Sequence, residues 1–154
     1  MRLILTNCNV IDCVNPDPKA QATVVIEDGR IMEVRDGGPP AGASGDRVID
    51  LEGSYLLPGL WDVHIHPQHP VPAGTTVAQI TADFGQNLMT GMTEAGVTAV
   101  RSGGASNWMD VAWRRAFAGP GPAGPRVFAC GHFLTTTGGH FLTSGHAREC
   151  DGPY

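Results

Sequence analysis

His64 and His66 stand one residue apart in the run "GLWDVHIHP", residues 59 to 67, which is otherwise mostly apolar and ends in a proline. On a strand, side chains at i and i+2 share a face, so the two imidazoles project together. Neutral imidazoles placed this way can offer ring nitrogens to one ion, and they suit zinc and neighbouring transition metals. The same spacing would arise from two histidines with satisfied ring nitrogens on an exposed strand face. Two ligands also fall short of the three or four that zinc normally takes. A metal site here therefore needs donors from elsewhere, and a small metal-binding β protein using only this pair is a weak alternative.

The elements around the pair fall into two styles. Residues 2–51 read as short strands: "RLILTNCNVID", "ATVVIEDGRIMEV" and "RVIDLEG". Asp28-Gly29 sits between two apolar strands, the residue pair that a type I′ hairpin prefers because both central residues need positive φ. "RDGGPPAGASGD" (35–46) reads as a flexible connector. From Tyr55 the pattern changes to strand, helix, strand, helix, strand, with short loops, which predicts right-handed βαβ units and a parallel sheet. "YLLPGLWDVHIHP" reads as one buried strand. Val77, Ile80, Phe84, Leu88 and Met92 form one helical stripe, and Gly96 stands where a helix should end. "VTAVRSGG" and "PRVFACG" are the later strands and "NWMDVAWRRAFAG" the second helix. In such sheets chemistry collects at the carboxyl ends of strands. His64 and His66, then Arg101 and Ser102, then the Gly-rich "CGHFLTTTGGHFLTSGH" fall at three of those ends, which predicts one shared rim.

Composition narrows the partners. The 154 residues carry a formal net charge of −5 with few Lys and Arg, which argues against nucleic acid and anionic membranes. No stretch approaches the ~20 apolar residues of a membrane span, and no signal-peptide core forms at the start. Cys8, Cys13, Cys130 and Cys150 lack CxxC or zinc-finger spacing and read as idle thiols of a reducing compartment, so a cytoplasmic location is expected.

The flanks of the histidine pair resemble a known family. "LLPGLWDVHIHP" is similar to the first barrel strand of the amidohydrolase superfamily, a PG-[ILF]-[IV]-D-x-H-x-H string, through Pro58, Gly59, Asp62, His64 and His66. "EDGRI" with "VIDLEGSYLLPGL" resembles the strands of the small β-sandwich that members build beside their barrel. "GVTAVRSGGA" resembles the second-strand region. "GPRVFACGHFLTTTGGHF" resembles the third-strand region of the branch holding Xaa-Pro dipeptidase-like and carboxypeptidase-like enzymes, near imidazolonepropionase. The resemblance implies an α/β fold: the N-terminal part of a (β/α)8 TIM barrel (58–154) preceded by a β-sandwich segment (1–57). It implies hydrolysis of an amide or peptide-like C–N bond through a water activated by one or two divalent ions, zinc by preference. His64 and His66 match the first-strand metal ligands. His140, in "TGGH", matches a pocket-lining histidine that contacts substrate or orients a neighbour. Arg101 would orient a loop or a substrate carboxylate, with a structural ion pair as the competing reading. His69, His132 and His146 have no motif context, and Ser102 stands where the family usually carries Asp.

A complete barrel takes ~250 residues, and from Pro58 the chain offers about 97. The bridging ligand, further histidines and the catalytic aspartate of the family come from later strands, so no catalytic residue is expected within this chain. The expectation is an incomplete barrel, unstable and inactive alone, finished by further sequence or by a complementary C-terminal chain, acting as an oligomer on a small substrate. Cyclic-amide hydrolysis or deamination is the alternative chemistry. A non-catalytic structural subunit is the alternative class.

Overall fold

The computed structural model describes residues 1–38, 45–67, 71–121, 123–140 and 147–152. The chain divides into two compact units, Met1–Pro58 and Gly59–Tyr154.

The first unit is a single sheet of β1 (Leu3–Val10), β2 (Lys19–Glu27), β3 (Arg30–Asp36), β4 (Arg47–Asp50) and β5 (Tyr55–Leu56). Its order is β3-β2-β1-β4, with β5 also on β1. Asp28 and Gly29 have φ of 50° and 72°, the left-handed pair that a tight hairpin between β2 and β3 requires. β1 runs antiparallel to β2 but parallel to β4 and β5. The alternation of β1 and β2 buries Cys8, Ala22 and Val24 on one face, with Leu5, Ile26 and Leu56 packed beside them. All four cysteines are free thiols. Burial pushes the Cys8 thiol above its ordinary pKa, which leaves it a small apolar core group rather than a nucleophile.

In the second unit β6 (Leu60–Ile65), β7 (Val97–Ser102) and β8 (Arg126–Phe128) form a parallel sheet in that order, connected by α1 (Val77–Ala95) and α2 (Met109–Ala118). α1 starts at a capping box in which Thr76 and Gln79 satisfy each other's backbone N–H groups, and it ends at Gly96 with φ 70°. The apolar stripe of α1 buries Phe84 and Leu88 against Val100, Ala105, Met109 and Val127. Gly85 lets the two helices approach. A Cβ there would overlap the Trp113 indole, whose Nε1–H donates to the Thr81 carbonyl at 2.7 Å. No described helix is long and apolar enough to cross a membrane.

The structure departs from the sequence reading in four places. The run 55–67 is two strands: Tyr55–Leu56 pairs with β1, while Leu60–Ile65 pairs with β7. Pro58 cannot donate to a ladder, and Gly59 lies so close to the Thr98 side chain that a Cβ would overlap it. Nor is β6 buried. Leu60, Trp61 and Val63 are 49%, 57% and 55% exposed, because β7 is its one sheet neighbour among the described residues. The second helix begins at Met109, after a 3₁₀ turn over Ser106–Trp108 in which Asn107 and Trp108 take φ of 51° and 57°. Finally, the Gly-rich segment contains a strand that the sequence reading did not name, since β9 (Phe133–Thr135) pairs in parallel with β10 (Ala147–Glu149). Part of the 35–46 connector lies outside the described residues.

Candidate metal centre

The carboxyl end of β6 places the His64 and His66 Nε2 atoms 3.1 Å apart, with ring centroids 5.0 Å apart and planes at 70°. Two nitrogens each bound at ~2.05 Å to one tetrahedral zinc stand about 3.3 Å apart. The pair therefore fits two corners of such a site. Among the described residues no group of three or more His, Cys, Asp or Glu comes together, so the chain offers half a coordination shell rather than a whole one.

Several contacts hold the pair. The backbone N–H of His64 donates to Asp62 Oδ1 at 3.1 Å. The His66 ring lies 5.5 Å from that of Phe133, which is itself buried. Just past the pair, Asn87 of α1 donates to the Pro67 carbonyl at 2.7 Å. Gly103, directly after β7, donates its N–H to Ile65 O at 3.4 Å. A Cβ on Gly103 would stand 3.1 Å from His64 Nε2 and 3.3 Å from His66 Cε1, so glycine there keeps open the space beside both rings.

A cavity of about 510 Å³ gathers residues from all three strand ends, with His64 from β6, Arg101, Ser102 and Gly103 from β7 or just after it, and Phe128 and Cys130 from β8 or just after it. The Arg101 Nε donates to the Val63 carbonyl at 2.8 Å, which fixes its guanidinium beside His64's strand. Arg101 makes no ion pair among the described residues. Ser102 is buried, and its Oγ accepts the Gly104 N–H at 3.2 Å, so the hydroxyl closes the turn after β7.

His140 is exposed and does not line that cavity. His132 packs edge-on against Trp108, with centroids 4.9 Å apart. His69 and His146 lie outside the described residues. The loop that carries His140 is tethered at Thr137, whose N–H and Oγ1–H donate to the Asp151 carboxylate at 2.8 and 2.6 Å. The hydroxyl bond first and the amide bond second hold the Asp151 carboxyl below the usual carboxylate range. Because the folded pKa lies under the unfolded one, the tether contributes at neutral pH and is lost as pH falls through the lowered value. An NMR titration of the Asp151 carboxyl carbon should give a midpoint below the ordinary aspartate value. Thr137→Ala should raise it part of the way back, since the backbone donor remains. A wild-type midpoint at or above that value would show that the tether does not form.

Sequence reasoning missed Gly103, Asn87 and Phe133. Of these only Gly103 carried a signal, as the first glycine of a pair after a strand end.

No family model matches the chain. An adenine deaminase of Dehalococcoides mccartyi is 44% identical over 64 residues, covering 42% of this chain and 10% of the relative. A dihydroorotase of Carboxydothermus hydrogenoformans is 36% identical over 70 residues, covering 46% and 15%. Among solved structures, a Xaa-Pro dipeptidase with bound methionine superposes with a TM-score of 0.83 at 25% identity, covering 99% of this chain and 39% of that one. An amidohydrolase superposes at 0.71 with 32% identity, covering 91% and 34%. The chain belongs to the amidohydrolase superfamily, whose solved members it matches over about two fifths of their length or less. The matched relatives are named as deaminases, dihydroorotases and a hydantoinase, and the solved neighbours as a Xaa-Pro dipeptidase, a prolidase and an amidohydrolase.

Proposed function

We propose that this chain supplies the first strands of a (β/α)8 barrel, after a β-sandwich segment, together with the first two metal ligands of an amidohydrolase that cleaves an amide or peptide-like C–N bond. The observation that carries the reading is the 3.1 Å separation of the two Nε2 atoms, a spacing suited to joint ligation. His64 and His66 would hold the ion, with imidazole ligands favouring zinc. A bound divalent ion supplies Lewis acidity and lowers the pKa of water. The chain's own residues do the rest of their work by position. Gly103 leaves room beside the rings, Phe133 backs His66, and Asn87 pins the backbone that follows them. Arg101, anchored on Val63 and without an ion pair among the described residues, can receive a carboxylate of the substrate. His140 would act as a second substrate contact or an orienting group. Solved neighbours named as a Xaa-Pro dipeptidase and a prolidase favour a peptide-like substrate. Curated relatives named adenine deaminase, dihydroorotase and hydantoinase favour deamination or cyclic-amide opening by the same pair.

The remaining ligands and strands would come from a complementary C-terminal part in an oligomeric, cytoplasmic enzyme, and the 154 residues alone would be inactive. Half-exposed Trp61, stacked on Phe128 at 5.2 Å, and the open edge of β6 suit such a partner. An unpaired apolar edge strand otherwise invites aggregation. Native mass spectrometry of the protein from its source, with elemental analysis of the same species, tests the reading. A complex carrying about one or two zinc-type ions per barrel would support it. A folded, metal-free chain of 16.2 kDa on its own would overturn it in favour of a structural subunit.

A further inference from the structure

Asp110 lies in the first turn of α2 and is fully buried, yet no Lys, Arg or His pairs with it among the described residues. Its carboxylate is satisfied by backbone alone. Oδ1 accepts the Val111 N–H at 2.8 Å, and Oδ2 accepts those of Cys130 and Gly131 at 2.9 Å each. A buried carboxylate is a costly choice where an apolar side chain would pack, so its partners indicate its use. Two of those partners, Cys130 and Gly131, lie in the loop just after the β8 end. The Gly131 carbonyl in turn accepts the Ala105 N–H at 2.8 Å, which joins this loop to the one after β7.

Three close fits continue the path. Asn107 and Trp108 are consecutive non-glycine residues in the left-handed region, a conformation that L side chains disfavour. That turn lays the Trp108 ring over Gly131, where a Cβ would come within 2.6 Å of it. Gly104, at φ 129°, makes room for the Phe133 ring, which a Cβ would approach at 2.5 Å. Phe133 then stands beside His66. The geometry points to Asp110 as a positioning residue for the histidine pair: it pins the Cys130–Gly131 backbone so that Phe133 sets the ring of His66. This rests on the reading of that pair as metal ligands. A bland stabilising role for Asp110 would affect the whole fold and not the ring.

The test uses the full chain in its native assembly, with Asp110→Asn, Phe133→Leu and, as a destabilised control, the core variant Val127→Ala. Two properties are read: the zinc dissociation constant by chelator competition, and the His66 ring signals by ¹H–¹⁵N NMR of the metal-free protein. Asp110→Asn and Phe133→Leu should each weaken zinc about 10-fold, as outer partners of metal ligands do, and should move the His66 signals. Val127→Ala should lower Tm without doing either. The proposal is overturned if Asp110→Asn keeps wild-type zinc affinity and ring signals, or if Val127→Ala loosens zinc as much. Should Asp110→Asn fail to fold, Phe133→Leu decides, and an unchanged His66 ring rejects the proposal. A wild-type protein that takes up no zinc removes the metal reading alone, and the ring signals then decide the role of Asp110.

Discussion

His64→Asn in the assembled enzyme should abolish stoichiometric zinc and lower kcat/KM at least 10³-fold. Asparagine keeps the size and polarity of the site but is a poor zinc ligand. The Nε2 that stands 3.1 Å from its partner disappears, and with it one corner of the coordination shell. A metal's Lewis acidity is worth several kcal/mol, and each ~1.4 kcal/mol is a decade of rate. His66→Asn should do the same. The double variant should be little worse than either single one, because groups acting as a unit fail together. Zinc content and turnover of an amide and cyclic-amide substrate panel are the measurements. A His64→Asn protein with full zinc and full activity would mean that the rings do not bind the metal.

Gly103→Val should weaken zinc by about 10- to 100-fold, the range seen when the surroundings of metal ligands are altered, while Tm moves little. The three atoms nearest a Cβ at this position all belong to the two histidine rings, at 3.1 to 3.4 Å. Its φ lies outside the left-handed region, so a side chain is tolerated by the backbone and resisted by the rings. His64 is exposed and can swing away, and that motion removes the nitrogen from the site. Gly103→Ala should have the same sign with a smaller effect. Equal zinc affinity in wild type and Gly103→Val, measured by chelator competition, would show that the space beside the rings serves no ligand.

These two positions differ in how far the sequence announces them. Two histidines at i and i+2 with Pro58-Gly59 and Asp62 before them are a local string, and locality is what sequence patterns capture. The same holds for the Asp28-Gly29 hairpin and for the alternating strands and helices of 59–131, whose order the structure reproduces. Gly103 matters because of rings contributed by another strand, and its neighbours in sequence say nothing of them. Asp110 looks like any acid in a first helical turn, and its Cys130 and Gly131 partners lie about 20 residues away. The split of 55–67 was hidden because Tyr55, Leu56, Leu57 and Leu60 form an unbroken apolar signal across Pro58. Only pairing with two different strands shows that Leu56 and Leu60 belong to separate sheets. Asn107 and Trp108 defeat a propensity argument, because their backbone is set by the contact of Trp108 with Gly131.

The placing of β1 between β2 and the parallel strands β4 and β5 has a consequence for synthesis. The β2–β3 hairpin is closed by two residues and can form within about 1–10 μs of its emergence. β1 leaves the ribosome before its later partners, and its other edge waits for Arg47–Asp50 and Tyr55–Leu56, more than forty residues behind Leu3. At roughly 5–20 residues per second, that is an interval of seconds. For that time the nascent chain presents the edge of a strand rich in Leu, Ile and Val to whatever else is nearby, an exposure that a chaperone would cover.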